Sequence, residues 1–255
     1  MKKQNMRFGI SQSICDTHVS SLLTTSKGFT LAEVLITLGV IGVVSAMTIP
    51  VLITNYQKHI TVTKLQKAIS VLNQAYKLSY DDVGEPSLGE SFNMGSEEYF
   101  KRYWASYIKT AVICTNYKQC GYKSNTPWFY PNKTTVTMGV VVPTRRTTFY
   151  TPDGFLYVIF IAMGSSTTES GFEQNGSVIV DINGGDGPNQ FGRDVFYLTR
   201  VSKDGGGVQP LYYQKDNDYV NNSCSLSGSG FTCAEKFVVQ DGRLKKIIHG
   251  SDKIL

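Results

Sequence analysis

Glu33 is the single charge in an apolar run of about two dozen residues that starts at Phe29. A carboxylate in a membrane-length apolar helix costs insertion free energy, so it is normally held by a partner. The expected partner is a new α-amino group, released by cutting the chain after Gly28. A second set of residues offers different chemistry. Asp181, Asn183, Asp186 and Asp194 gather carboxylate and amide oxygens within the segment DINGGDGPNQFGRDVF, between two strand-like runs. Oxygen donors in that density are what a hard cation such as calcium requires. The alternative is a glycine-shaped connection in which Asp181, Asn183 and Asp194 bond backbone amides and fix the turn. The match to an EF-hand loop is poor, because Gly185 stands at the fifth position, Asp186 replaces the glycine, and no glutamate follows at the twelfth.

Lys27-Gly28-Phe29-Thr30-Leu31-Ala32-Glu33, followed by VLITLGVIGVVSAMTIP, resembles the class III signal of type IV pilins and type II secretion pseudopilins. The resemblance implies a prepilin peptidase that cuts after Gly28 and methylates the new amino terminus of Phe29. It further implies other pilin or pseudopilin subunits and an inner-membrane assembly platform as partners, with Glu33 pairing to the amine of a neighbouring subunit. Pro50 falls where such proteins commonly carry a helix-loosening proline. The Asp-x-Asn-Gly and Gly-Pro-Asn elements of the 181–194 segment also resemble stretches found in many pilin-like proteins. Some pseudopilins hold calcium near the carboxyl end of the sheet; no cofactor is otherwise required. Two other readings of the amino terminus stay open. One is an ordinary secretory signal peptide with its small-residue site at Val44-Ser45-Ala46, and the other is a plain single-pass anchor.

The elements that would position these residues follow from periodicity. From Phe29 to about Tyr80 the sequence predicts one long helix. It is apolar all round to Ile53, then amphipathic with Leu65, Ala68, Ile69, Leu72, Ala75 and Tyr76 at helical spacing. A second helix is expected over 97–110, with Ser96 as cap and Glu97 and Glu98 at its positive end. Its aromatic face (Tyr99, Phe100, Tyr103, Trp104, Tyr107, Ile108) reads as core packing, with a sugar or peptide platform as the alternative. Strands are expected at 134–142, 155–162, 177–181, 195–201 and 237–239, separated by turn signals such as Pro152-Asp153-Gly154. The stretches 164–176 and 215–230 read as polar loops. Strands with hairpin turns and no helices between them imply an antiparallel sheet, so the expected class is α+β: a pilin-like long amino-terminal helix packed on an antiparallel sheet. The expected organisation is a leader, 1–28, a transmembrane and assembly helix, 29–56, and an exported globular domain, 57–255.

Composition fixes compartment more than activity. The formal charge of +5 includes Lys2, Lys3, Arg7 and Lys27 against Asp16, so removing the leader leaves the mature chain near +2. A nucleic-acid role gains little from that surplus. The basic leader places the amino terminus inside and the bulk of the chain outside; the pilin resemblance implies the inner membrane and assembly into a periplasmic or cell-surface filament. Lys58, Lys64, Lys67 and Lys77, with no acid before Asp81, pull against this. They read as a solvated face, headgroup contacts or a stripe toward a neighbouring subunit. Of five cysteines, Cys15 lies in the leader, and the remaining four suit two disulfides in an oxidising compartment. Three pairings are open; Cys114 with Cys120 and Cys224 with Cys233 are favoured because each encloses a short loop. Zinc has no support, since His59 and His249 lie near neither pair. There is no Gly-x-Ser-x-Gly, His-Glu-x-x-His or phosphate-binding loop, so no enzymatic activity is expected. The functional expectation is a structural subunit, minor pilin or pseudopilin. The alternatives are an adhesin or DNA-uptake pilin using exposed aromatics or Arg145 and Arg146, and a soluble protein released after Ala46.

Overall fold

The computed structural model describes residues 28–84, 93–109, 111–136, 146–161, 166–167, 173–201, 207–211 and 218–240. The chain divides into two compact units, Met1–Val51 and Leu52–Leu255. Helix α1 runs Leu31–Val83 with Pro50 inside it. Its apolar stretch is long enough to cross a membrane, and none of that window is buried within the chain. Two hydroxyls in this stretch are satisfied locally: Thr37 Oγ1 donates to Val34 O and Thr48 Oγ1 to Val44 O, both at 3.0 Å. Such back-bonding lets polar side chains sit in an apolar environment without an external partner.

Within the second unit the amphipathic part of α1 buries Val62, Leu65, Ala68, Ile69, Leu72, Ala75 and Ser79. Tyr76 packs half-buried against the same core. The spacing read from the sequence is therefore the face that docks. Fully burying a leucine or isoleucine contributes about 1.5–3 kcal/mol, and Leu65, Ile69 and Leu72 are all at 0% exposure. They meet Phe149, Tyr157, Ile159, Val178, Val180, Phe196, Leu198 and Val208 on one face of the sheet.

That sheet is antiparallel, with strands β1 Val112–Cys114, β2 Arg146–Tyr150, β3 Leu156–Phe160, β4 Ser166–Thr167, β5 Glu173–Asp181, β6 Val195–Val201 and β7 Gly207–Pro210. Among the described residues six of them run in the order β1-β2-β3-β5-β6-β7, and β4 pairs with β5 off this path. The second face carries Leu156, Val158, Ile179 and Val195, covered by Tyr117, Tyr122, Trp128, Val136 and Phe191. Burial on both faces explains why β3 and the 178–180 stretch of β5 read as continuous apolar runs rather than alternating ones.

Several expectations need correction. Helix α2 covers only Ser96–Phe100 and continues as a π-helical turn, Lys101–Ala105. Ser96 does not cap it: the capping position is Gly95, at φ 81°, and Ser96 Oγ donates instead to Arg146 O at 3.0 Å. The aromatic face is core, with Tyr99, Phe100, Tyr103, Trp104 and Ile108 all buried, which removes the platform reading. Phe237–Val239 is not a strand but part of helix α4, Cys233–Gln240, which follows the short helix α3, Asp218–Ser223. Ala234, Phe237 and Val238 share one helical face toward the core, Phe237 edge-on to Phe196 at 5.7 Å. A three-residue apolar run cannot separate strand from helix by itself. The presumed loop 215–230 contains α3, and 164–176 contains β4 and the start of β5. Of the strand expected at 134–142, the described part forms an isolated bridge from Thr135 to Phe129; residues 137–142 lie outside the described residues, as do Arg145 and His249.

Candidate functional site

Phe29 is 86% exposed, and helix α1 starts two residues later. Thr30 is the residue that starts it. Val34 N donates to Thr30 O at 3.2 Å, closing the first turn. Thr30 N and Oγ1 both donate to Glu33 Oε2, at 2.8 and 2.9 Å, and Glu33 N donates back to Thr30 Oγ1 at 3.2 Å. This reciprocal pair is a capping box, Thr-x-x-Glu, which satisfies two amide donors that the helix start leaves unpaired. Sequence reasoning assigned Glu33 to an external amine and passed over this; the spacing Thr30 to Glu33 was the available signal. Gly28 shows the opposite. Among the described residues a Cβ built on it meets nothing within 4 Å, and its φ lies outside the left-handed range, so neither packing against them nor backbone conformation calls for glycine there.

The 181–194 segment is a clasp between β5 and β6. Asp181, at 0% exposure, accepts at Oδ2 from Tyr122 Oη (2.7 Å) and Trp128 Nε1 (3.2 Å), and at Oδ1 from Asn183 N (3.3 Å). Asp194 accepts from the amides of Asn189 (2.7 Å) and Gln190 (2.6 Å). Asn183 Nδ2 donates to Gly187 O at 3.2 Å, and the Asn189 amide nitrogen, turned inward, donates to Gly184 O and Asp186 O at 3.0 Å each. The glycines are required by close approach: a Cβ on Gly185 would stand 2.4 Å from Gly121 O, and one on Gly184 2.7 Å from Gly154 O. Burial, with the Asp194 carboxylate nearby, holds the Asp181 pKa well above the usual carboxylate range against the donors that stabilise its ionised form. Burial raises Asp194 as well, opposed by the Gln190 and Asn189 amides.

Residues 23–49 match a family described as the prokaryotic N-terminal methylation motif. The chain carries the type IV pilin and pseudopilin signal. Residues 51–154 match a second family, described as a family of unknown function (DUF6613). No curated protein and no solved structure matches the chain.

The motif match and the clasp lie in different units of the chain. The four oxygen donors read from the sequence for calcium stand in different surroundings. The carboxylates of Asp181 and Asp194 already accept protein donors, Asp186 is exposed, and no cluster of three or more acidic, histidine or cysteine side chains exists among the described residues. What the segment does instead is pin the 115–136 stretch across the sheet, through Tyr122 and Trp128 and through Gln190 Nε2 to Tyr130 O and Pro131 O. Adding calcium or chelator to the precursor is expected to leave its melting temperature unchanged within about 1 °C, since a ligand bound only by the folded state would raise it. A calcium-dependent rise of several degrees would reverse this reading.

Four cysteines form the Cys114–Cys120 and Cys224–Cys233 disulfides, with Cα separations of 5.8 and 4.9 Å. Closing loops this short contributes about 2–3 kcal/mol each on the chain-entropy account. The first fixes β1 at the sheet edge, and the second ties α3 to α4. Arg146, one of two basic residues considered for ligand recognition, lies over the Phe160 ring at 4.6 Å.

Proposed function

We propose that this chain is a minor pilin or pseudopilin, stored in the inner membrane through residues 29–56 with its carboxyl-terminal part outside the cytoplasm. A prepilin peptidase cuts after Gly28 and the new terminus at Phe29 is methylated. The apolar part of α1 then leaves lipid for the core of a filament, where equivalent helices cover the same surface, so little hydrophobic free energy is lost in the exchange. Glu33 meets the amine of a neighbouring Phe29 and sets the register. The observation that carries this reading is the methylation-motif match over 23–49, which leads into an apolar helix whose membrane-length window is unburied among the described residues.

Purifying the chain from cell envelopes and sequencing its amino terminus by mass spectrometry tests the proposal. The expected first residue is N-methylated Phe29. A chain starting at Met47 would assign it to ordinary secretion, and one retaining Met1 to a plain anchor.

A further inference from the structure

We propose that Asn73 and Pro210 close the β7 edge of the sheet against strand addition by a second copy of this chain. A terminal strand exposes a row of backbone donors and acceptors that another chain can pair with. Among the described residues β7 is such a strand, bonded on one side to β6 with Val208 opposite Arg200 and Pro210 opposite Leu198. Its outward groups can be assigned. Asn73 Nδ2 donates to Val208 O at 2.9 Å, and Val208 N donates to Asn73 Oδ1 at 2.7 Å, so both backbone groups of Val208 point away from β6. In an antiparallel ladder the outward residues alternate, which makes Pro210 the next of them. Proline has no N–H to offer.

The side-chain amide of Asn73 thus stands where the next strand's peptide group would stand, offering one donor and one acceptor in the pattern of a ladder pair. The fit is close. A Cβ on Gly207, whose φ is 139°, would lie 2.4 Å from Asn73 Oδ1. β1, at the opposite end of the sheet, has only three residues, and short length is another way to blunt an edge. For a chain that is to polymerise through its amino-terminal helix, a closed sheet edge keeps self-association on that helix.

The test uses the full precursor in detergent micelles, comparing wild type, Asn73→Ala, Gly207→Ala and the double variant Asn73→Ala, Pro210→Ala. Gly207→Ala displaces the Asn73 amide without altering it, and so stands in if Asn73→Ala misfolds. Near-ultraviolet circular dichroism identifies the variants that keep the native packing. In those the Val208 amide should exchange with solvent about tenfold faster or more. The double variant should also gain concentration-dependent species above the wild-type mass in light scattering. Unchanged Val208 protection in both single variants, or a double variant that keeps the wild-type mass while Val208 exchanges freely, would overturn the proposal.

Discussion

A Gly28→Val precursor accumulates at full length in the membrane, folded like the native chain and absent from filaments. The expectation rests on two observations that point in different directions. Among the described residues Gly28 has open space around it and an unexceptional backbone, so valine meets no obstacle there. On the proposed processing the residue ends the leader, in the segment that matches the methylation motif, and the demand for glycine then comes from the enzyme that reads it. A cleft shaped for a residue without a side chain loses about 10–200-fold in rate for a single added methylene, and valine adds more than that, so cleavage should fall by at least about 100-fold. Whole-cell immunoblots show the outcome as a band retaining the 28-residue leader. Normal conversion to the mature band would move the cut elsewhere, and with it the role given to Phe29.

The long helix was legible because two hydrophobic patterns meet in it: an all-round apolar stretch, then Leu65, Ile69 and Leu72 at helical spacing, and the structure buries only the second. Val195–Val201 was legible to the residue, since β-branched and aromatic residues flanked by turn signals leave little ambiguity. β1 and β7 were not foreseen. Val112–Cys114 is too short to carry a pattern. Gly207–Pro210, with a glycine and a proline in four residues, contradicts strand propensity and is held by β6 and by the Asn73 amide from a distant helix. That contact is tertiary and leaves no trace in local sequence. Phe237 and Val238 failed for the opposite reason, because a short apolar run reads equally well as strand or helix.

The site divides the same way. The oxygen-rich segment was visible, and its glycines were visible with it. That Gly184 and Gly185 are set by the backbones of Gly154 and Gly121, and that Asp181 answers Tyr122 and Trp128, depends on residues far away in the chain. The carboxylates therefore looked like free ligands in sequence and are bonded to the protein in the structure.

Glu33→Ala and Glu33→Gln should both be cleaved normally and both be depleted from sheared filaments by about tenfold or more. The pair of variants separates two roles that the capping box brings together. In the precursor Glu33 is engaged by Thr30, so an alanine there removes the side-chain half of the capping box as well as the charge. Glutamine serves in the third helical position of a capping box as glutamate does, and keeps the contact to Thr30 while removing the charge. If the carboxylate exists to neutralise a neighbour's ammonium, glutamine leaves that ammonium unpaired among apolar helices, and an uncompensated charge in such surroundings is strongly unfavourable. Glutamine should then assemble no better than alanine. Incorporation of Glu33→Gln at the wild-type level, with Glu33→Ala depleted, would reduce Glu33 to a local cap. Cleavage is insensitive to either change on this account, because the bond after Gly28 is cut before any neighbouring amine exists for Glu33 to meet.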